Sequence, residues 1–93
     1  MRVIGYLDTK GYKTTIFKSG ERFTVKFEDG LFEQSFKFRE SDQISTTRDI
    51  HRLIDQTFLD KITDRFEEMR QSAGELLQRF AQGQEEEEWE EII

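Results

Sequence analysis

The sequence predicts an α+β fold, ββββα: a four-stranded antiparallel meander followed by a long C-terminal helix. Three observations predict it. Residues 1–40 hold six of the nine Phe, both Tyr and every turn signal, at the 8–12-residue spacing of consecutive short strands. Residues 46–82 contain no Pro and carry apolar residues at helical spacing. Charge is also segregated, with 8 Lys or Arg and 6 Asp or Glu in residues 1–40 but 6 and 14 in residues 41–93. A mildly basic sheet is thus followed by an acidic helix and tail.

The first strand runs from Val3 to Leu7 and ends at Asp8-Thr9-Lys10-Gly11, with Asp and Gly where a type I turn favours them. A three-residue and a four-residue loop turn opposite faces of this strand inward. Either Ile4 and Tyr6, or Val3 and Leu7, then lie on the outer face, and the sequence leaves the choice open.

The second strand ends at Ser19-Gly20. Pairing Lys18 with Glu21 sets Ile16 opposite Phe23, Thr14 opposite Val25 and Tyr12 opposite Phe27. The third and fourth strands are joined at Asp29-Gly30, a pair suited to a type I′ turn because both central positions need positive φ. Pairing Glu28 with Leu31 sets Phe27 opposite Phe32, Val25 opposite Gln34 and Phe23 opposite Phe36. Phe23, Phe27, Phe32, Phe36 and Phe38 then share one face, while Lys26, Glu33, Thr24, Ser35, Arg22 and Lys37 take the other. A one-residue slip would exchange the two faces.

Glu40 to Ile44 is a short connection. Thr46 with Asp49 three residues on approximates a capping box, so a helix is expected over 46–82. Its apolar pattern changes along its length. Ile50, Leu53, Ile54, Thr57 and Phe58 form a broad stripe suited to a sheet. Leu59, Ile62, Phe66, Met69, Ala73, Leu76 and Phe80 then follow at alternating spacings of 3 and 4, the narrow seam of a coiled coil.

As one helix, residues 46–82 would extend about 55 Å at 1.5 Å per residue. A seven-residue strand covers only about 23 Å, so half of the helix overhangs. The seam is therefore expected to pair with a second copy, in preference to folding back as a helical hairpin at Ser72-Ala73-Gly74. Gly74 is the natural place for a break, since Gly costs about 1 kcal/mol relative to Ala within a helix. On this reading Phe66 and Phe80 belong to a dimer seam rather than to the monomer core. Lys61 with Asp64, Arg65 with Glu68, Glu67 with Arg70, and Glu75 with Arg79 are spaced to pair along the helix surface.

Ninety-three residues provide for one small core, expected over residues 1–83, with 84–93 as an acidic tail. The absence of Cys excludes disulfides, thiolate metal sites and thiol catalysis. The one His, His51, lies four residues before Asp55 and reads as a surface residue paired with it. Asp60, Asp64, Glu67 and Glu68 lack an accompanying Glu-x-x-His and are interleaved with bases. No Gly-rich phosphate loop or nucleophile motif is present. No catalytic residue, metal or cofactor is expected. A net charge of −6 disfavours adsorption on duplex DNA or anionic lipid. The N-terminal apolar run is too short for a signal peptide, and no window approaches a membrane span; a cytoplasmic protein is expected.

Two functions follow as expectations. The first is a non-enzymatic homodimeric interaction or adaptor module. The tail adds a candidate partner motif in Trp89, Ile92 and Ile93, which would share a face of a helix and follow an acidic run. The second is a single-stranded nucleic-acid binder using Lys13, Phe17, Arg22, Lys26, Lys37 and Arg39 on the outer face of the sheet, with bases and aromatics interleaved.

The element order is similar to that of Pur-alpha-type repeats and of the single-strand-binding domain of a transcriptional coactivator, which dimerise and bind single-stranded nucleic acid. The acidic, apolar-ended tail is similar to that of bacterial single-strand-binding proteins. These resemblances cover about residues 1–58 and 84–93 and rest on topology and tail character. No sequence motif of these proteins is matched, the net acidity departs from them, and no residue role is carried over.

Overall fold

The computed structural model describes the backbone of residues 1–91 and the side chains of residues 1–83. Four strands, β1 (Arg2–Leu7), β2 (Lys13–Ser19), β3 (Arg22–Asp29) and β4 (Phe32–Arg39), precede two helices, α1 (Thr47–Leu53) and α2 (Gln56–Glu91). The strands form one antiparallel sheet in the order β1-β2-β3-β4. This is the expected ββββα meander.

The faces are as the alternation requires, but both hairpin registers differ from the expected ones by two residues. Ser19 pairs with Arg22 and Asp29 with Phe32, so Ile16 faces Val25, Val25 faces Phe36 and Phe23 faces Phe38. The cause is the turn. Gly20 and Gly30 have φ of 60° and 62°, while among the described residues no non-Gly residue has positive φ. Each loop therefore has Gly at its first central position, as a type II′ turn does, whereas a type I′ turn would force Asp29 to positive φ. A slip of two keeps every side chain on its own face.

The open question at β1 is resolved by a bulge. The register shifts between Val3 and Gly5, so strict alternation is broken at Ile4. Ile4 and Leu7 both pack on the core, while Val3 and Tyr6 remain exposed.

Thr46 caps α1 through a complete capping box with Asp49. The expected single helix does not form. Ile54 leaves α1 in an extended conformation, and Asp55 Oδ1 accepts the Phe58 N–H at 2.9 Å, capping α2. The interruption falls within the broad apolar stripe, between Ile54 and Thr57, and α2 continues through Gly74 without a break. It also removes the His51–Asp55 spacing, because α1 ends at Leu53.

The core lies between the inner sheet face and the helices. Ile16, Phe23, Val25 and Phe27 of the sheet meet Ile50 and Ile54 before α2, and Ile62 and Phe66 within it; all eight are buried. Burial of such a side chain stabilises the fold by about 1.5–3 kcal/mol. Phe27 is central, with the rings of Tyr12, Phe36 and Phe58 at 6.0, 6.0 and 6.1 Å. Phe66 packs 5.5 Å from Tyr12. Its assignment to a dimer seam is thus overturned: it belongs to the monomer core.

Three polar contacts fix the path of α2 across the sheet. Tyr12 Oη donates to the Leu59 carbonyl at 3.3 Å, Gln34 Nε2 to the Ile62 carbonyl at 3.0 Å, and Arg70 Nη1 to Asp29 Oδ2 at 2.7 Å. The helix thus runs towards the β3–β4 turn and passes beyond it.

Candidate functional site

The 36 residues of α2 extend about 54 Å at 1.5 Å per residue, and among the described residues Arg70 is the last to reach the sheet by a polar contact. Its guanidinium also binds Glu67 at 2.8 Å. Glu67 and then Asp29 raise its pKa above the ordinary value by hydrogen bonding. Of the four ion pairs expected along the helix surface, this Glu67–Arg70 pair is the one among the described residues that forms.

The apolar seam is divided at this point. Ile62 and Phe66 are buried, and Leu59 and Met69 are half-buried against the sheet. Beyond Arg70, Ala73 is half-buried, while Leu76 and Phe80 are 59% and 57% exposed. The first part of the seam is occupied by the chain's own sheet because helix and sheet meet along the same stripe. Leu77, absent from the expected seam, is 66% exposed beside them. Its signal was its adjacency to Leu76, which widens the stripe beyond a strict a/d pattern.

A shallow depression of about 480 Å³ lies where the helix leaves the sheet, lined by Phe32, Gln34, Arg65, Glu68, Met69 and Ser72. Phe32 and Met69 connect it to the core. Gln34 Oε1 is buried there without a hydrogen-bond partner among the described residues. Leu31, at the tip of the adjoining turn, is fully exposed.

The outer sheet face is the second candidate. The register brings Lys13, Phe17, Arg22, Lys26, Lys37 and Arg39 to this face, with Val3 opposite Phe17 and Tyr6 opposite Thr15. Arg22 lies directly opposite Arg39, a like-charge pair that is unfavourable without an anion. Lys26 is held by Glu33 at 3.6 Å and Glu28 at 3.9 Å, and its ammonium is 6.0 Å from the Phe17 ring. The face is therefore mixed at its centre and basic along the Arg22–Arg39 edge.

Trp89, Ile92 and Ile93 lie outside the described side chains, as does the rest of the tail motif. Among the described residues no group of three or more His, Asp or Glu is placed to hold a metal ion, and no helix is long and apolar enough to cross a membrane. Comparison with protein-family models, with curated proteins and with solved structures finds no match to this chain.

Proposed function

We propose that this chain is a non-enzymatic homodimeric interaction module that self-associates through the part of α2 lying beyond its own sheet. The observation that carries the reading is the run Leu76, Leu77 and Phe80, each more than half exposed on a helix face continuous with the monomer core. Apolar side chains at this spacing on a projecting helix are covered by a second helix. Equilibrium sedimentation at micromolar concentration tests it. The wild-type chain is expected to be dimeric and Leu76→Asp monomeric with its fold intact. A wild-type monomer, unchanged by Leu76→Asp, overturns the proposal.

A second reading, a single-stranded nucleic-acid binder, is favoured by the direct opposition of Arg22 and Arg39 beside Lys37 on one face. It predicts salt-sensitive binding of a labelled oligonucleotide, tighter when residues 84–93 are removed and weakened by Arg22→Ala. No binding by the tailless chain at low salt counts against it.

A further inference from the structure

We infer that the open edge of β4 pairs with β4 of a second copy, antiparallel and centred on Phe36, to give one continuous eight-stranded sheet. This surface is separate from the projecting part of α2, and the inference does not rest on the reading above. The strand order leaves β4 hydrogen-bonded on one side only. Glu40 N–H donates to the Glu21 carbonyl at 2.7 Å. The next pair, Arg22 with Arg39, is therefore a non-hydrogen-bonded one, and the alternation continues along the ladder. Glu33, Ser35, Lys37 and Arg39 thus turn their backbone N–H and C=O groups away from β3. Among the described residues no other backbone hydrogen bond reaches these four. The opposite edge of the sheet is guarded, because β1 is bulged between Val3 and Gly5 and α1 closes on it at Gly5. In contrast, β4 runs for 8 residues with no shift of register.

Charge identifies the occupant. The β3–β4 ladder holds two like-charge pairs of opposite sign, Glu28 opposite Glu33 near the turn and Arg22 opposite Arg39 at the far end, an arrangement that is destabilising. Lys26 offsets the acidic pair, at 3.9 and 3.6 Å. Among the described residues no acid pairs with Arg22 or Arg39. About a two-fold axis at Phe36, Arg39 of one copy faces Glu33 of the other. The outer face then reads Arg22, Arg39, and Glu33 and Glu28 of the second copy, and this row occurs at both ends of the new ladder. An axis at Lys37 would oppose two lysines, and an axis at Ser35 would leave Arg39 without an acid. Lys37 and Arg39 repel a basic strand, as charges on an edge do, but Glu33 makes this edge complementary to itself. On the inner face Phe36 meets its own copy and Phe38 lies beside Gln34 of the second copy. Both rings are half-buried in the single chain. Each α2 runs towards its own β3–β4 turn, and the two-fold axis sends these turns to opposite ends, so the helices do not obstruct the pairing.

An edge held by backbone hydrogen bonds and exposed charges associates weakly, so pairing is expected at about 1 mM rather than in the micromolar range of the helix test. The full chain carrying Leu76→Asp isolates it from α2. Amide NMR shifts and translational diffusion are followed from about 0.05 to about 1 mM. The apparent mass is expected to rise towards twice that of the chain, with shifts concentrated at Glu33, Ser35, Lys37 and Arg39. Arg39→Glu and Glu33→Arg, added singly, should each abolish the association. Each also relieves a like-charge pair within its own chain, so unfolding does not account for the loss. Combined in one chain, the two substitutions restore opposite charges across the axis and should restore the association. No concentration dependence overturns the edge pairing, leaving β4 to a foreign strand and the α2 reading untouched. Association that survives either single substitution, or a doubly substituted chain that stays monomeric, overturns it as well.

Discussion

Gly5 in β1 lies so close to Thr47 at the start of α1 that a Cβ at Gly5 would sit 2.9 Å from Thr47 Cγ2. The approach lets α1 settle on the edge of the sheet beside Ile16, whose Cδ1 would be 3.8 Å from the same Cβ. Gly5→Ala is expected to destabilise the fold by about 1–3 kcal/mol through overpacking. Thr47→Ser removes the opposing methyl and should recover much of that loss in a double-mutant cycle followed by urea denaturation. Additive losses would show that the two residues do not meet.

Phe66 and Phe80 occupy equivalent places in the sequence pattern yet differ in burial, at 1% and 57% exposure. Phe66→Ala is expected to cost about 3–5 kcal/mol by deleting a buried ring. Phe80→Ala should change stability by no more than about 0.5 kcal/mol, measured in the Leu76→Asp background so that self-association does not contribute. Equal losses at the two positions would contradict the division of the stripe at Arg70.

The carboxylate of Asp49 has its pKa lowered from 3.8 to about 2, first by the Ser45 backbone N–H and then by that of Thr46. Hydrogen bonds to the ionised form make the folded state hold its proton less tightly than the unfolded chain. The stabilisation is therefore fully present above pH 3.8 and is lost as pH falls towards 2. Asp49→Asn should be less stable than wild type at neutral pH, and its stability should vary less across that window. Parallel acid-denaturation curves for the two proteins would refute this assignment.

Gly30 and Leu31 share the β3–β4 turn but do different work. Gly30 has φ of +62°, which costs an L-residue roughly 1–2 kcal/mol; Leu31 is fully exposed. Gly30→Ala is expected to lower stability by about that amount, while Leu31→Ser stays within about 0.5 kcal/mol. Thermal unfolding of the two variants measures the contrast.

What was legible in the sequence was local or periodic. Alternation of Phe23, Val25 and Phe27 determined which face of the sheet is apolar, because a strand has a strict period of two. Thr46 and Asp49 marked the start of a helix, because capping is decided within four residues. The six outer-face residues from Lys13 to Arg39 follow from the same alternation. Their pairing did not, since registers two residues apart bury the same side chains and only the backbone of Gly20 and Gly30 distinguishes them.

The remaining features depend on contacts between distant parts of the chain. The bulge at Ile4 lets a short strand pack both Ile4 and Leu7, half-buried, against the core, which no alternating pattern expresses. The division of the 59–80 stripe was equally hidden, because Ile62 and Leu76 carry the same pattern and only the length of the sheet decides which one it covers. By itself the sequence determined the ββββα order, the apolar faces and the capping of α1. Tertiary structure alone decided where α2 leaves the sheet, at Arg70 and Asp29, and so which apolar side chains stay exposed. Periodicity records that a helix has an apolar side, whereas the partner that covers it is set by how far the sheet extends.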